Sequence, residues 1–127
     1  MVTSKRSPGE EVTPQHIQAR VDDWKQRIDG LYDAIMGWLP KGWEAERRRN
    51  VLMNEELMQK KGIHPVELHS LVLHGGKQEA VIEPRALWII GANGRLDLVF
   101  GKQHYVIVDM ADHFKKPQWK IAPLSNR

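Results

Sequence analysis

The chain contains no cysteine, and that removes disulfide frameworks, thiol nucleophiles and cysteine-ligated zinc together. It also contains no run of about 18 apolar residues, the length a membrane-spanning helix needs, so no membrane segment is expected. The first twelve residues, with Lys5, Arg6, Glu10 and Glu11, lack the apolar core of a signal peptide and read as a disordered polar tail of a cytoplasmic protein. A dominant charge of one sign is missing too, since 19 Lys and Arg against 16 Asp and Glu leave a formal net charge of +3. Division after Gly62 puts 11 basic and 10 acidic residues before it and 8 and 6 after it, so neither half is a basic arm. Gly-x-x-x-x-Gly-Lys-Ser/Thr phosphate loops and Gly-x-Ser-x-Gly nucleophile elbows are absent.

What remains is an ordinary globular composition, 41% hydrophobic and 28% charged in 127 residues, which sets one domain over 13–127 as the expectation. Ile17, Val21, Trp24, Ile28, Leu31, Ile35 and Trp38 follow one another in steps of four and three, an unbroken heptad seam. Thr13 suits the N-cap, Pro14 the first helical position, and Pro40 ends the segment, so a helix is expected over about 13–39. Two uses of the seam stay open. It packs on this chain's own sheet, or it is an interface that pairs with the same helix of another copy.

Beyond the helix, short apolar stretches at 66–74, 78–83, 86–90, 95–100, 105–110 and 118–121 read as successive strands in a sheet region of about 49–122. Gly75-Gly76, Asn93-Gly94 and Gly101-Lys102-Gln103 mark reversals, with Asn93-Gly94 expected as a type I′ turn, and these imply antiparallel neighbours. Leu87-Trp88-Ile89-Ile90 is apolar without alternation, which suits a central strand covered on both faces. Pro84 cannot donate to a ladder, so a break or bulge is expected between Glu83 and Ala86. The piece 41–62 reads either as a second helix or as an extended segment over 49–58. The expected fold class is therefore α+β, a long N-terminal helix followed by an antiparallel meander of about five to six strands.

The segment 84–98, Pro-Arg-Ala-Leu-Trp-Ile-Ile-Gly-Ala-Asn-Gly-Arg-Leu-Asp-Leu, resembles a hairpin found in small uncharacterised bacterial α+β proteins. Trp38-Leu39, Glu55-Glu56, Pro84, Gly91, Gly94, Arg95, Asp97 and Trp119-Lys120-Ile121 are the positions that match. The resemblance favours the extended reading of 49–58 and implies no activity. On the residues themselves, Gly91, Asn93, Gly94 and Arg95 read as a structural turn, with Arg95 and Asp97 on one face of the strand that follows.

A second resemblance carries chemistry. Gly94 to Phe100 followed by Tyr105 to Asp109 is similar to the hairpin of restriction-type nucleases, where two acids hold a divalent metal and a lysine two residues after the second acid serves the attacking water. Asp97 and Asp109 match the acids, but Ala111 stands where the lysine belongs. The histidines add little, because His64, His69 and His74 recur at intervals of five and alternate faces on a strand. Asp109, Asp112 and His113 form a donor run without metal-ligand spacing. Arg47-Arg48-Arg49 could meet nucleic-acid phosphates, yet Glu44, Glu46, Glu55 and Glu56 interleave with it as on a solvated face. The expectation is thus a noncatalytic interaction or oligomeric accessory module of a bacterial complex, with no metal and no cofactor. The alternative is a metal-dependent or degenerate nuclease acting on nucleic acid through Asp97 and Asp109.

Overall fold

The computed structural model describes residues 13–124, and the tail expected at 1–12 lies outside them. Helix α1 runs Pro14–Trp38, where Thr13 Oγ1 accepts the His16 N–H at 3.0 Å and Pro14 stands where no intrahelical donor is needed. Strand β1 is Trp43–Met53, a short helix α2 is Glu56–Lys60, and β2 to β6 are Val66–Gly75, Gln78–Ala86, Arg95–Phe100, Gln103–Asp109 and Trp119–Pro123. The six strands form one sheet in the order β1-β2-β3-β4-β5-β6, every neighbour antiparallel, and α1 lies across one face. The α+β arrangement is the expected one. None of the described helices is long and apolar enough to cross a membrane.

The membership of the sheet differs from expectation. Residues 41–62 supply a strand that starts at Trp43, plus one short helical turn from Glu56, so each reading of that piece holds for part of it. The 86–90 stretch is no separate strand, since Ala86 ends β3 and 87–90 lie outside the ladder. The β3–β4 register shifts between Pro84 and Ala86, as the proline requires. The chain then leaves the ladder because the Leu87 and Trp88 N–H groups donate to the Glu55 carboxylate, at 2.7 and 3.3 Å. Leu87 is buried and Trp88 partly so, but Ile90 points fully into solvent, so this apolar run is a loop anchored at its start.

Asn93-Gly94 is likewise no type I′ turn, which would need positive φ at both residues. Of the two only Gly94 has it, at +131°, while Asn93 is buried and holds the loop from inside. A Cβ at Gly94 would overlap the Trp24 ring, so glycine there permits the helix to approach the sheet. The first hairpin turns one residue later than Gly75-Gly76 suggests, because Gly75 pairs with Gln78 inside the sheet. The Trp43 indole on the facing strand lies in the space a Cβ of Gly75 would take.

The seam meets this chain's own sheet. Ile17, Val21, Trp24, Ile28 and Leu31 are buried against Leu71, Leu73, Ala80, Ile82, Leu96 and Ile107, with Met53, Met58 and Leu87 closing one end. Each large side chain removed from water this way contributes about 1.5–3 kcal/mol. These five positions are therefore unavailable to a second helix while the domain stays folded. Of the expected interface, Ile35 is only partly buried and Trp38 is 73% exposed.

Candidate functional site

The two acids of the nuclease resemblance do not meet. Leu96 faces Ile107 across the β4–β5 pair and both are buried under α1. Side chains alternate along a strand, so Asp97 emerges on the face opposite the helix, while Asp109, two residues beyond Ile107, lies on the helix side. One metal ion cannot be shared through the thickness of a sheet, and this overturns the pair as a metal clamp. Among the described residues no three of His, Asp and Glu are grouped so as to hold a metal.

Each acid is instead engaged locally. Asp97 accepts from Arg95 Nε at 2.8 Å, contacts His104 Nε2 at 2.9 Å and has Arg85 Nε at 3.5 Å. Partial burial pushes its carboxyl pKa up, but the bonds from Arg95 and His104 outweigh that and hold it below the usual carboxylate range. Asp109 is completely buried. One of its oxygens takes the N–H groups of Ala111 and Gln118, at 3.0 and 2.8 Å, and the other is ion-paired with the buried Arg27 of α1. Arg27 also bonds Asp23 and the carbonyl of Lys115.

Asn93 joins this network. Its N–H donates to the Asp109 carbonyl at 2.7 Å, and its side-chain oxygen accepts from Arg20 Nη2 at 3.0 Å. Arg20 lies 5.9 Å from the Trp88 ring and 3.3 Å from His113 Nδ1. Burial lowers the pKa of His113, and the neighbouring Arg20 adds to the effect. The cluster of Arg20, Arg27, Asn93 and Asp109 thus clips the 91–94 loop, the 110–118 loop and the helix together. Gly91, with φ +85°, makes the outer bend beside the Ile89–Ala92 bridge, and Arg95 opens β4 with its side chain on Asp97.

Two of the three arginines of the run are also occupied. Arg47 bonds Asp29 and Asp33 of α1, at 2.9 and 2.6 Å, and sits 5.4 Å from the Tyr32 ring. Arg48 pairs with Glu46 at 3.2 Å on the opposite face, where that exposed contact lowers the Glu46 pKa. Behind Arg47, Tyr32 is fully buried, its hydroxyl donates to the His69 carbonyl at 2.7 Å, and burial pushes its pKa above the usual phenol value.

One region is almost wholly apolar. Past Leu31, α1 and the sheet separate and leave a cleft of about 620 Å³, lined by Ile35, Trp38 and Leu39 of the helix and by Leu98, Phe100, Tyr105, Ile107, Trp119 and Ile121 of the last three strands. A straight helix cannot follow a twisted sheet along its whole length, and here the divergence falls at the helix C-terminus. Among the described residues its ionisable lining side chains are Lys120 and Tyr105, whose hydroxyl donates to Gln103 at 2.7 Å, beside aromatics and aliphatics. The cleft opens beside the outer edge of β6, where Ile121 is 58% exposed. Sequence reasoning did not single out Trp43, and it placed Phe100, Tyr105 and Ile121 in strands without giving them a shared surface. The available signal was the period-two alternation of Tyr105 with Ile107 and of Trp119 with Ile121, which places these four on one face. No protein-family model, no curated protein and no solved structure matches this chain.

Proposed function

We propose that this protein is a noncatalytic interaction module whose docking surface is the edge of β6 together with the apolar cleft beside it, and that an extended polypeptide strand is what it binds. The observation that carries this reading is the meeting, at one place on the molecule, of a carbon-lined cleft and a sheet edge with which none of the described residues pairs. A strand added to such an edge gains main-chain hydrogen bonds and drops alternate side chains into the adjoining groove. A small apolar molecule fits less well, because small-ligand sites enclose most of their ligand and this cleft is open along its side. The charged residues elsewhere support a scaffold role, since Asp97, Asp109, Arg27 and Arg47 are each held in ion pairs.

The test is selection of random peptides displayed against the whole protein, followed by titration of a selected free peptide into isotope-labelled protein. Peptides that alternate apolar and polar residues, and that shift the indole signals of Trp38 and Trp119 with the amides of 119–123, are expected. Peptides that map to the opposite face of the sheet would overturn the reading. So would saturable one-to-one binding of decanoate in the cleft that excludes every peptide.

A further inference from the structure

The bonding phase of β6 indicates what kind of strand completes it. Met110 N–H donates to Gln118 O at 2.9 Å and Leu124 N–H to His104 O at 2.8 Å, and between these ends β5 and β6 pair one residue to one. Antiparallel ladders alternate bonded and non-bonded pairs. Lys120 and Ala122 therefore spend their backbone groups on β5, while Trp119, Ile121 and Pro123 aim theirs outward. Pro123, which has no N–H to offer, occupies an outward position, the one kind of strand site where a proline costs no ladder bond. Among the described residues nothing pairs with this edge.

Resting on the docking reading above, we propose that the strand accepted here is β6 of a second copy of this chain, joined about a twofold axis at Ile121 so that two six-stranded sheets become one. In that register the two Ile121 residues exchange both of their outward bonds. Each Trp119 N–H reaches the carbonyl of the opposite Pro123, while the Trp119 carbonyl receives no bond in return because Pro123 has no N–H. Lys120 falls across from Ala122 on the other face, so no like charges meet. An axis at Lys120 would set two ammonium groups face to face, and an axis at Ala122 would put the proline opposite Ile121 and lose the reciprocal pair. The Ile121 side chains point to the helix side, so both clefts open toward the shared axis and cover each other's exposed rims, Trp38 among them. A twofold interface makes every contact twice, which suits an edge only five residues long. The opposite edge is unfit for the same use, since β1 carries Arg47, Arg48 and Arg49 and a register break between Arg48 and Val51.

Because the chain has no cysteine, single cysteines report the register directly. Directly bonded antiparallel partners lie about 5.5 Å apart at Cα, inside the roughly 4.4–6.8 Å range of disulfides. On mild oxidation Ile121→Cys is expected to give a covalent dimer, whereas Lys120→Cys and Leu52→Cys stay monomeric; equal cross-linking of all three, or none in Ile121→Cys, overturns the proposal. Sedimentation provides a second reading on exposed positions that leave the fold intact. Ala122→Glu should lower the dimer dissociation constant, and Ala122→Lys raise it, each by about 3-fold or more through the contact with Lys120. The reverse order of the two variants overturns the register. An unmodified protein that stays monomeric at every concentration while a selected peptide still moves Trp38 and Trp119 overturns the second copy as occupant and leaves peptide docking standing.

Discussion

The two ends of α1 carry the same repeat of apolar residues and meet opposite fates. At the N-terminal end Ile17, Val21 and Trp24 are buried almost completely, and Arg20 and Arg27 are pulled in beside them. At the C-terminal end Ile35 and Trp38 continue the spacing but face an open cleft. The difference lies in what stands opposite. The 91–94 and 110–118 loops fold over the first half and are held to it by Asp109 and Asn93, whereas the second half looks onto Phe100, Tyr105 and Ile121 near the outer edge of β6. Equal periodicity therefore states which face of a helix is apolar and leaves open what covers it.

Substitutions should separate the two ends. The largest losses belong to the closed end, where Asp109→Ala removes the one fully buried acid that Arg27 pairs with and the acceptor of the Ala111 and Gln118 N–H groups, and should cost about 3–5 kcal/mol in urea unfolding. Trp24→Ala should cost a similar amount, about 3–5 kcal/mol, by emptying the closed end of the core. Gly94→Val comes next, at about 1–3 kcal/mol, because its side chain meets Trp24 on a positive-φ backbone. An unchanged thermal midpoint in that variant would mean that helix and loop are not in contact.

A pH series sharpens the same contrast. The folded pKa of His113 lies below the unfolded value of 6.5, so its contribution to stability is complete above that pH and is lost as pH falls toward the folded pKa. His113→Gln should flatten the slope just below pH 6.5. Asp97 acts in the same direction in a more acidic window, its contribution being present above 3.8 and lost as pH falls through its lower folded value. The smallest effect is expected at the open end, where Trp38→Ala should change stability by no more than about 0.5 kcal/mol. A loss equal to that of Trp24→Ala would show the two ends to be alike.

Residue spacing was enough to find α1, its cap and the strands bounded by simple turns, because period and turn chemistry are local properties. It misled at 86–90, where apolarity without alternation suits a buried strand, yet a carboxylate 32 residues away takes the backbone donors of Leu87. It misled at Asn93 for a related reason, since burial beside Arg20 and Asp109 recruits the residue to a network that only the fold assembles. Asp97 and Asp109 were readable as candidate residues. Their separation to opposite faces required the β4–β5 register, which the hairpin lengths did not specify. The cleft was not readable, because a void is a property of how two elements diverge.

The ion pair between Arg27 and Asp109 also spans time. The two residues are 82 positions apart in the chain, and a ribosome adding about 5–20 residues per second needs roughly 4–16 s to cover that distance. Through that interval the helix has been made but its guanidinium has no carboxylate from β5 to meet, and its apolar stripe has only the earlier strands to lean on. Until the fifth strand emerges α1 lacks the carboxylate that ties it to the 110–118 loop, and the arrival of Asp109 is the event that can lock the loops over the first half of the helix.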